Sequence, residues 1–420
     1  MSLFLNDSFP PIKNDQFLFI LKKFKSPIWI YHSDTIIEKI KKLSLFDSIR
    51  FAQKACSNIH ILKLMREQNV KVDAVSLGEI EKALKANFIP GEASSDIIFT
   101  ADLLDKMTLK KVIQLNIPVN AGSIDMLEQI GQSVSGHPVW IRINPGFGHG
   151  HHKKTNTGGE NSKHGIWHED LPKALEKIAQ YQLKLIGFHM HIGSGVNYQH
   201  LKKVCDAMVE QVIKLNQDIS AISAGGGLSV PYKKGEKEVD TKHYYNLWHR
   251  ARKKISKHFG HPISLEIEPG RFLVAESGVL IAQIRAIKNM GNQHYIIVDA
   301  GFNDLMRPAM YGSYHRISLL PADGPDVSKE KNIKTVVAGP LCESGDVFTQ
   351  NQNACLETRY LPPAFVDDYL IFHNTGAYGA SMSSNYNSRP LIPEVLLKNG
   401  EVQLIRRRQT IEELISLELF

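Results

Sequence analysis

Lys54 stands where a buried apolar segment gives way to a helical pattern, and its amine is well suited to attack a carbonyl group. Residues 48–53 (SIRFAQ) have the apolar character of a buried strand, and the apolar positions from Ile59 onward repeat at helical spacing. A lone lysine at such a place is more often a side chain that reaches solvent. Its chemistry therefore depends on what stands at the ends of the other predicted strands.

Polar groups follow several other apolar segments at the same relative position. Each has an ordinary structural explanation when taken alone, such as a turn glycine or a strand-end histidine with a local hydrogen bond. Their shared position favours one site, because the C-terminal ends of parallel barrel strands meet at one mouth. These groups are Arg142 and Asn144, His189 and His191, Gly225 to Gly227, and Glu268 with Arg271.

Three consecutive glycines, Gly225 to Gly227, are suited to a phosphate group. Glycine lets backbone N–H groups approach an anion closely, and Ser194 and Arg271 could add further donors. The run is a weak signal alone, because no nucleotide-binding glycine pattern accompanies it.

The remaining groups suit an aldehyde and a pyridine ring. Lys54 could react with the aldehyde, His191 could lie flat on the ring, and Glu268 could hold a proton on the ring nitrogen. A phosphate, an aldehyde and a protonated pyridine together describe pyridoxal phosphate, whose ring acts as an electron sink.

The elements that carry these residues alternate between short apolar strands and amphipathic helices. Eight strands in one region favour an α/β fold built on a closed parallel (β/α)8 TIM-like barrel, with a doubly wound open sheet as the alternative. The predicted strands are 48–54, 70–76, 96–101, 117–121, 139–145, 183–193, 218–227 and 263–271.

After residue 272 the strands follow one another through turns, which predicts a C-terminal β-rich domain. Residues 27–31 (PIWIY) are expected to add a strand to it, and a helix over 410–419 is expected to begin at a Thr N-cap. The predicted strands are 279–287, 294–301, 333–340, 368–376 and 401–407. We therefore place the barrel at 32–272 and the β-rich domain at 1–31 and 273–420.

Composition limits the classes of function. The chain has 420 residues, 43% of them hydrophobic, and a net charge of +7. This length suggests two domains, since a single core stops growing near ~250–300 residues. We find no nucleic-acid motif, signal peptide or apolar run of membrane-spanning length, and the four cysteines form no CxxC pair. These features predict a reduced, cytoplasmic protein.

Residues 146–165 contain almost no aliphatic side chain, which predicts a mobile loop at the barrel mouth, where a lid belongs. The loop contains His149, His151 and His152, but their spacing fits no common metal site, and we predict no metal.

The whole chain resembles the diaminopimelate decarboxylase family of the alanine racemase-like, or fold type III, pyridoxal-phosphate enzymes. The resemblance implies pyridoxal-phosphate-dependent decarboxylation of meso-diaminopimelate to L-lysine and CO2, the last step of lysine biosynthesis. It also implies a homodimer with shared active sites. The motifs that carry it, in the family's order, are FAQKACSN, VSLGEIEKAL, NSKHGI, GFHMHIGSG, SAGGGLSVPY, EIEPGR, DAGFNDLMRPAMY, GPLCESGDVF and TGAYGASMSSNYNSRP.

For the cofactor, the resemblance implies that Lys54 is the Schiff-base lysine, His191 stacks on the ring and Glu268 pairs with the pyridine nitrogen. One departure is His164, where many members have Phe; we expect it to alter the packing of the loop more than the chemistry. The further implied cofactor contacts are Ser194, Gly227, Gly270, Arg271 and Tyr378.

For the substrate, the resemblance implies that Arg307 and Tyr311 contact a carboxylate. Cys342 and Glu343 match residues that reach the neighbouring subunit's site, where Cys342 donates a proton and Glu343 binds the distal amine. The further implied substrate contacts are Arg271 and Tyr378.

Diaminopimelate carries an amino acid group at each end, so its distal pocket needs both a cation and an anion. Arg307 and Glu343 would supply that pair, and Arg can hold a carboxylate through two hydrogen bonds. A sister decarboxylase acting on ornithine, arginine or carboxynorspermidine is the first alternative. Arg307 argues against a substrate that has only a distal ammonium, because the two cations would repel.

Two further alternatives come from other classes. His189 and His191 could form the HxH pair of a metal-dependent hydrolase, but we find no convincing further ligands at other strand ends. A non-catalytic binding relative would be expected to lack Lys54 or Cys342, and both are present.

Overall fold

The computed structural model describes residues 11–91, 95–148, 157–191, 193, 195, 197–322 and 330–420. The chain divides into two compact units. The first, here called the barrel unit, comprises Lys39–Ser229 and Glu238–Phe272, and the second, the β unit, comprises Met1–Glu38, Val230–Lys237 and Leu273–Phe420. Within the described part of the chain, no helix has both the length and the apolar character needed to cross a membrane.

The strands and helices are numbered in chain order. The strands are β1 Ile28–His32, β2 Ser48–Ala52, β3 Lys71–Ala74, β4 Ile97–Ala101, β5 Val119–Ala121, β6 Pro138–Asn144, β7 Ile166–Trp167, β8 Lys184–His189, β9 Ala221–Ser223, β10 Ser264–Ile267, β11 Gly278–Met290, β12 Gln293–Val298, β13 Ile317–Leu320, β14 Ile333–Ala338, β15 Arg359–Leu361, β16 Tyr369–Phe372, β17 Glu394–Lys398 and β18 Glu401–Arg406. The α-helices are α1 Asn14–Phe24, α2 Ser33–Lys41, α3 Ile59–Glu67, α4 Leu77–Lys85, α5 Lys106–Gln114, α6 Ile124–Ser133, α7 Leu171–Gln180, α8 Tyr198–Leu215, α9 Thr241–Phe259, α10 Arg271–Val274, α11 Arg307–Tyr311 and α12 Ile411–Ile415.

The barrel unit is a closed parallel barrel, as the alternation of strands and helices predicts. Strands β2 to β6 pair in sequence, β6 pairs with β8, and β8 to β10 lead back to β2, all in parallel. This closure excludes the open doubly wound sheet. The two-residue strand β7 pairs with the end of β6 and follows directly after the segment 146–165 that was predicted to be a loop.

The helices between the barrel strands form because their sequences combine good N-caps with one apolar face. The side chains of Ser76, Asp105 and Ser123 accept hydrogen bonds from backbone N–H groups in the first turns of α4, α5 and α6. Helix α7 shows the apolar face most clearly, since Leu171, Ala174 and Ile178 are buried at helical spacing.

The barrel strands are shorter than the apolar segments suggested. Strand β2 ends at Ala52, and Lys54 lies in a 3-10 turn formed by Gln53–Ala55. Strand β8 ends at His189, so His191 lies in the following loop. Periodicity cannot locate such ends, because an apolar residue that follows a strand is buried by the same core as the strand itself.

The β unit contains a mixed sheet whose main order is β15-β14-β12-β11-β1-β17-β18, with β16 and β13 paired beside β11. The predicted contribution of PIWIY is confirmed, because β1 pairs antiparallel with β11 and parallel with β17. Helix α1, which the sequence analysis missed, buries Phe17, Ile20 and Leu21 in the core of this sheet. Strands β13, β15 and β17 were also missed.

The C-terminal helix begins as predicted but ends earlier. The Thr410 side chain accepts from the Glu413 backbone N–H, and the Glu413 carboxylate accepts from the Thr410 N–H, which is a complete capping box. The α-helix stops at Ile415 and continues as a 3-10 turn over Ser416–Glu418.

Candidate active site

Glu268 follows β10 at the C-terminal mouth of the barrel and is 6% exposed. Its Oε2 atom lies 2.7 Å from His189 Nε2, and its Oε1 atom accepts a hydrogen bond of 3.1 Å from the Ser223 hydroxyl. Burial alone would raise the pKa of Glu268, but His189, the hydrogen bond from Ser223 and the charge of Arg50 bring it below its usual value. The carboxylate is therefore ionised and can accept a further hydrogen bond.

Arg50 and Glu266 form a buried ion pair within the barrel. The Arg50 Nε atom donates to Glu266 Oε2 at 2.6 Å, and its Nη1 atom donates to the carbonyl oxygen of Ser95 at 3.2 Å. Burial opposes the charged form of Arg50, but Glu266 outweighs it and raises the pKa of the guanidinium. The permanent positive charge contributes to keeping Glu268 ionised.

Asp73 is a second buried carboxyl group near the mouth, on β3. Burial and the charge of Glu268 raise its pKa well above the usual value, against the opposing effects of Lys54 and of a hydrogen bond with Thr100. Of these two coupled carboxyl groups, Asp73 holds the proton and Glu268 the charge. The sequence analysis missed Asp73, although a charged residue inside the apolar segment VKVDAVS was a usable signal.

Lys54 is exposed at this mouth, in the turn after β2. Its positive charge acts on Asp73, Glu79 and His191, lowering the pKa of each. Burial nevertheless leaves the pKa of Glu79 raised, and that carboxylate accepts from the Val75 N–H at 2.9 Å. The amine is thus accessible and stands near both acidic groups and an imidazole.

His191 is half-buried, and its ring orientation is fixed by the glycine run. Its Nδ1 atom accepts the Gly226 N–H at 3.0 Å, while its carbonyl oxygen accepts from Thr157 Oγ1 at 2.8 Å and from Arg142 Nη2 at 3.4 Å. Burial, followed by the charges of Arg142 and Lys54, lowers its pKa well below the usual value. A neutral ring with its proton on Nε2 results.

The glycine run has little room for any side chain. A Cβ atom at Gly226 would lie 2.5 Å from the Glu268 carbonyl oxygen, and one at Gly227 would lie 2.5 Å from that of Gly193. Gly227 also has a φ of +104°, which side chains rarely adopt. Gly270 is buried against Ala52, and Arg271 begins α10 and is half-buried. Ser194 lies outside the described residues.

These groups fit pyridoxal phosphate. The donor set contains an accessible amine in Lys54, an ionised carboxylate in Glu268 and a neutral imidazole in His191, and it adds a glycine run with close backbone approach. The aldehyde, the protonated pyridine nitrogen, the ring face and the phosphate each have a matching group in one barrel mouth.

Described parts of the loop predicted as a lid are hydrogen-bonded to the barrel. Asn144 accepts from the N–H groups of Gly146 and Gly159 and donates to the carbonyl oxygens of Gly159 and His164. His164 Nδ1 also lies 2.5 Å from Asp102 Oδ2. Burial would raise the pKa of Asp102, but His164 and Arg142 lower it below the usual value. The cluster His149, His151 and His152 lies outside the described residues.

His189 and His191 do not form a chelating pair. His189 contacts Glu268 and His191 contacts Gly226, so their rings serve different partners. Among the described residues, no group of three or more His, Cys, Asp or Glu side chains could hold a metal ion. The observed hydrogen bonds therefore direct His189 to Glu268 and His191 to the glycine run.

In the β unit, Arg307 begins α11 and is 6% exposed. Its Nη1 atom lies 2.8 Å from His315 Nε2, whose ring in turn has Nδ1 2.9 Å from the carbonyl oxygen of His373. The guanidinium also stands 5.1 Å from the centre of the Tyr232 ring. Because a guanidinium only donates, His315 Nε2 is the acceptor and its proton lies on Nδ1. The sequence analysis missed His315 and Tyr232.

Tyr311 and Tyr378 are half-buried residues of the same unit. Tyr311 ends α11, one helical turn after Arg307, so the two side chains share a face. Tyr378 has a φ of +57°, which is uncommon for a bulky residue and is a form of backbone strain. Strain of this kind marks a position where orientation matters.

Cys342 and Glu343 are exposed in the segment 342–346, here called the CESGD loop. The Cys342 N–H donates to Asn387 Oδ1 at 3.0 Å. Asp346 anchors the loop through its Oδ1 atom, which accepts the Phe302 N–H at 2.7 Å, and its Oδ2 atom, which accepts the Leu341 N–H at 2.8 Å. The loop's backbone is therefore held by hydrogen bonds, while the side chains of Cys342 and Glu343 are exposed.

Comparison with known proteins gives consistent matches. Residues 34–275 match the family model for the pyridoxal-binding domain of the pyridoxal-dependent decarboxylases. The chain is 63% identical over 418 residues to the diaminopimelate decarboxylase of Escherichia coli K12, covering 100% of this chain and 99% of that protein. A crystal structure of a diaminopimelate decarboxylase superposes with a TM-score of 0.96 at 63% identity, covering 100% and 99% of the two chains. The Helicobacter pylori enzyme, solved in complex with L-lysine, gives a TM-score of 0.84 at 31% identity and covers 96% of this chain and 99% of its own.

Proposed function

This chain belongs to the diaminopimelate decarboxylase family of pyridoxal-dependent decarboxylases, and we propose that its predicted site residues perform that family's chemistry. It decarboxylates meso-diaminopimelate to L-lysine and CO2 with pyridoxal phosphate, the last step of lysine biosynthesis. The residue assignments rest chiefly on one observation, the ionised and hydrogen-bonded Glu268 carboxylate at the barrel mouth. The domains are proposed to be 32–272 for the barrel, with 1–31 and 273–420 for the β-rich domain.

The cofactor supplies an aldehyde that bonds to amines and a ring that accepts the electrons left by departing CO2. Lys54 would hold the cofactor aldehyde through its exposed amine. His191 would cover one ring face as a neutral imidazole, which would add no positive charge beside the ring. Glu268 would accept the pyridine N–H and keep the ring protonated. The residues that would bind the phosphate are Ser194, Gly227, Gly270 and Arg271.

The distal end of the substrate carries both a carboxylate and an ammonium, so it needs groups of opposite charge. Arg307 is the cation for a substrate carboxylate, with its guanidinium already oriented by His315 and Tyr232. Glu343 is the anion for the distal ammonium. An Arg fork in a buried setting gives a strong, directional contact with a carboxylate. The further proposed contacts with substrate are Tyr311, Tyr378 and Arg271.

The protein is proposed to work as a cytoplasmic homodimer in which Cys342 and Glu343 serve the neighbouring subunit's site. The Cys342 thiol would protonate the α-carbon after CO2 has left, giving L-lysine. Two observations support this assignment: both side chains are exposed, and the backbone that carries them is anchored by Asp346 and Asn387. An exposed side chain on a held loop is free to reach a group on another chain.

The test is release of L-lysine and CO2 from meso-diaminopimelate with added pyridoxal phosphate, beside ornithine, arginine and carboxynorspermidine as competing substrates. We expect turnover of meso-diaminopimelate alone. Preferred turnover of a substrate with only a distal ammonium would overturn the roles of Arg307 and Glu343. For the shared site, an inactive Lys54→Ala chain mixed with an inactive Cys342→Ala chain should regain activity through mixed dimers, and no recovery would contradict the sharing.

A further inference from the structure

We propose that His189 is a positioning residue that holds the Glu268 carboxylate in one orientation toward the pyridine nitrogen of the cofactor. The inference rests on the proposed role of Glu268. It gives the first histidine of the HxH motif a function in this reaction, exerted through its contact with Glu268.

The contact geometry fixes the carboxylate at both oxygens. His189 Nε2 binds Oε2 at 2.7 Å, and the Ser223 hydroxyl binds Oε1 at 3.1 Å. All three side chains are buried, with exposed fractions of 1% for His189, 6% for Glu268 and 1% for Ser223. Two donors on different oxygens prevent rotation of the carboxylate plane, and the remaining lone pairs can accept from a pyridinium N–H.

The barrel itself places these three groups together. His189 ends β8 and Ser223 ends β9, and the two are paired in register. Glu268 follows β10, the next strand, in which Glu266 is the partner of Ser223. The Glu268 N–H donates to the Gly225 carbonyl oxygen at 2.8 Å, which fixes the backbone of Glu268 relative to the glycine run. Rigid strands rather than flexible loops therefore set the position of the carboxylate.

The other ring nitrogen of His189 indicates that the residue is more than a core-filling group. In the described part of the chain, His189 Nδ1 is buried without a hydrogen-bond partner. An apolar side chain of similar size would fill this space without leaving a buried polar atom unpaired, which costs about 1–3 kcal/mol. Among the described residues, the hydrogen bond to Glu268 is the contact that a histidine makes here and an apolar side chain could not.

The decisive measurement compares two probes that differ only at the ring nitrogen. The full chain, freed of cofactor, is titrated with pyridoxal phosphate and with its 1-deaza analogue, in which C–H replaces the nitrogen. The wild-type chain should prefer pyridoxal phosphate by about tenfold or more, since a hydrogen bond between charged groups is lost with the analogue. His189→Leu should reduce this preference by about tenfold while leaving affinity for the analogue unchanged. His189→Gln, which keeps an N–H donor at a similar position, should retain most of it.

His137→Leu is the matched control, because His137 is also buried in the barrel unit, with Nε2 3.0 Å from the carbonyl oxygen of Ile117. This variant should leave the ratio of affinities unchanged. If His189→Leu does not fold, Ser223→Ala removes the other donor and should lower the same ratio.

Two results would overturn the proposal. One is an unchanged ratio of affinities in His189→Leu, which includes equal losses of affinity for both probes. The other is the same change of this ratio in His137→Leu. A wild-type chain that does not distinguish the probes would overturn the role of Glu268 and this inference with it. Lysine release from meso-diaminopimelate would still stand as a separate test of the family function.

Discussion

At the barrel mouth, Glu268 and His191 are fixed by hydrogen bonds to their side chains, whereas in the CESGD loop Cys342 and Glu343 are exposed and only the surrounding backbone is held. At the barrel mouth, hydrogen bonds from neighbouring segments orient the side chains themselves. In the CESGD loop, hydrogen bonds orient the backbone, and the side chains of Cys342 and Glu343 stay exposed. Arg307, in the β unit, follows the barrel's pattern, because His315 fixes its guanidinium.

The difference corresponds to what each group must do. A carboxylate that keeps a pyridine ring protonated must itself stay ionised while buried, which requires nearby donors and cations such as His189 and Arg50. A proton donor or distal-amine ligand proposed to act on another chain needs reach instead. Mutations at the two kinds of position should therefore have effects of different size.

The largest effect is expected from Lys54→Ala, which removes the amine proposed to bind the cofactor aldehyde. Turnover of meso-diaminopimelate should fall by about three orders of magnitude or more, because a covalent role has no substitute in the site. The measurement is CO2 release together with size-exclusion chromatography of the variant. Lys63→Ala, at an exposed position of α3, is the control and should retain normal turnover. Normal turnover in Lys54→Ala would show that the reaction does not take place at the barrel mouth.

A smaller effect is expected from Arg307→Lys, which keeps the charge but loses the two-pronged donor geometry and the contact with His315. We expect kcat/KM for meso-diaminopimelate to fall about 100-fold, with affinity for pyridoxal phosphate unchanged. The control is Arg285→Lys in the same unit, because Arg285 is exposed and its Nη1 atom lies 2.8 Å from Asp367 Oδ1. If both variants behave alike, Arg307 is a structural residue and does not contact substrate.

A still smaller effect tests the idea that the CESGD loop works through its held backbone. Asn387 has a φ of +54° and its side chain accepts the Cys342 N–H, so Asn387→Gly preserves the backbone conformation and removes only the acceptor. One neutral hydrogen bond is worth about 1 kcal/mol, so kcat should fall about fivefold. Asn399→Gly is the matched control, because Asn399 has a φ of +53° in the turn between β17 and β18. Equal kcat values in the two variants would show that this hydrogen bond does not position Cys342.

The sequence could predict features that depend on which residues are buried, but not those that depend on contacts between side chains. The barrel and the N-terminal strand β1 followed from alternation and periodicity, because both are set by which residues are buried. The residues proposed to touch cofactor and substrate could be named from motifs. The roles of their partners could not, because His189 and Ser223 act through contacts with Glu268, which is 79 and 45 residues away in the chain. His315 is eight residues from Arg307, but its contact depends on side-chain geometry that no motif shows. Helix α1 was missed because its buried face can be recognised only once the sheet that it packs against is known.

The last prediction concerns stability and compares two buried acids, Asp73 in the barrel and Asp304 in the β unit. Burial raises the pKa of both, for Asp304 to about 7, against the opposing Gly301 N–H and the charge of Arg389. The Asp304 Oδ2 atom accepts from Gly301 N at 3.1 Å, while its Oδ1 atom is buried without a partner in the described part of the chain. Glu268 and Lys54, both proposed to bind the cofactor, act on the pKa of Asp73, whereas Gly301 and Arg389 act on that of Asp304. The titration of Asp304 should therefore be visible in stability alone.

Between pH 4 and 7 the folded state keeps a proton on Asp304 that the unfolded state has already released, so raising the pH favours unfolding over this range. The contribution of Asp304 to the free energy of unfolding is fully present below its unfolded pKa of 3.8, and it is lost as the pH rises to about 7. Asp304→Asn, which does not titrate, should therefore have a melting temperature that falls less than that of the wild type between pH 5 and 8. Asp367→Asn, at an exposed carboxylate, should follow the wild-type curve. Parallel curves for Asp304→Asn and the wild type would mean that Asp304 is ionised in the folded protein, and that a partner for Oδ1 offsets its burial.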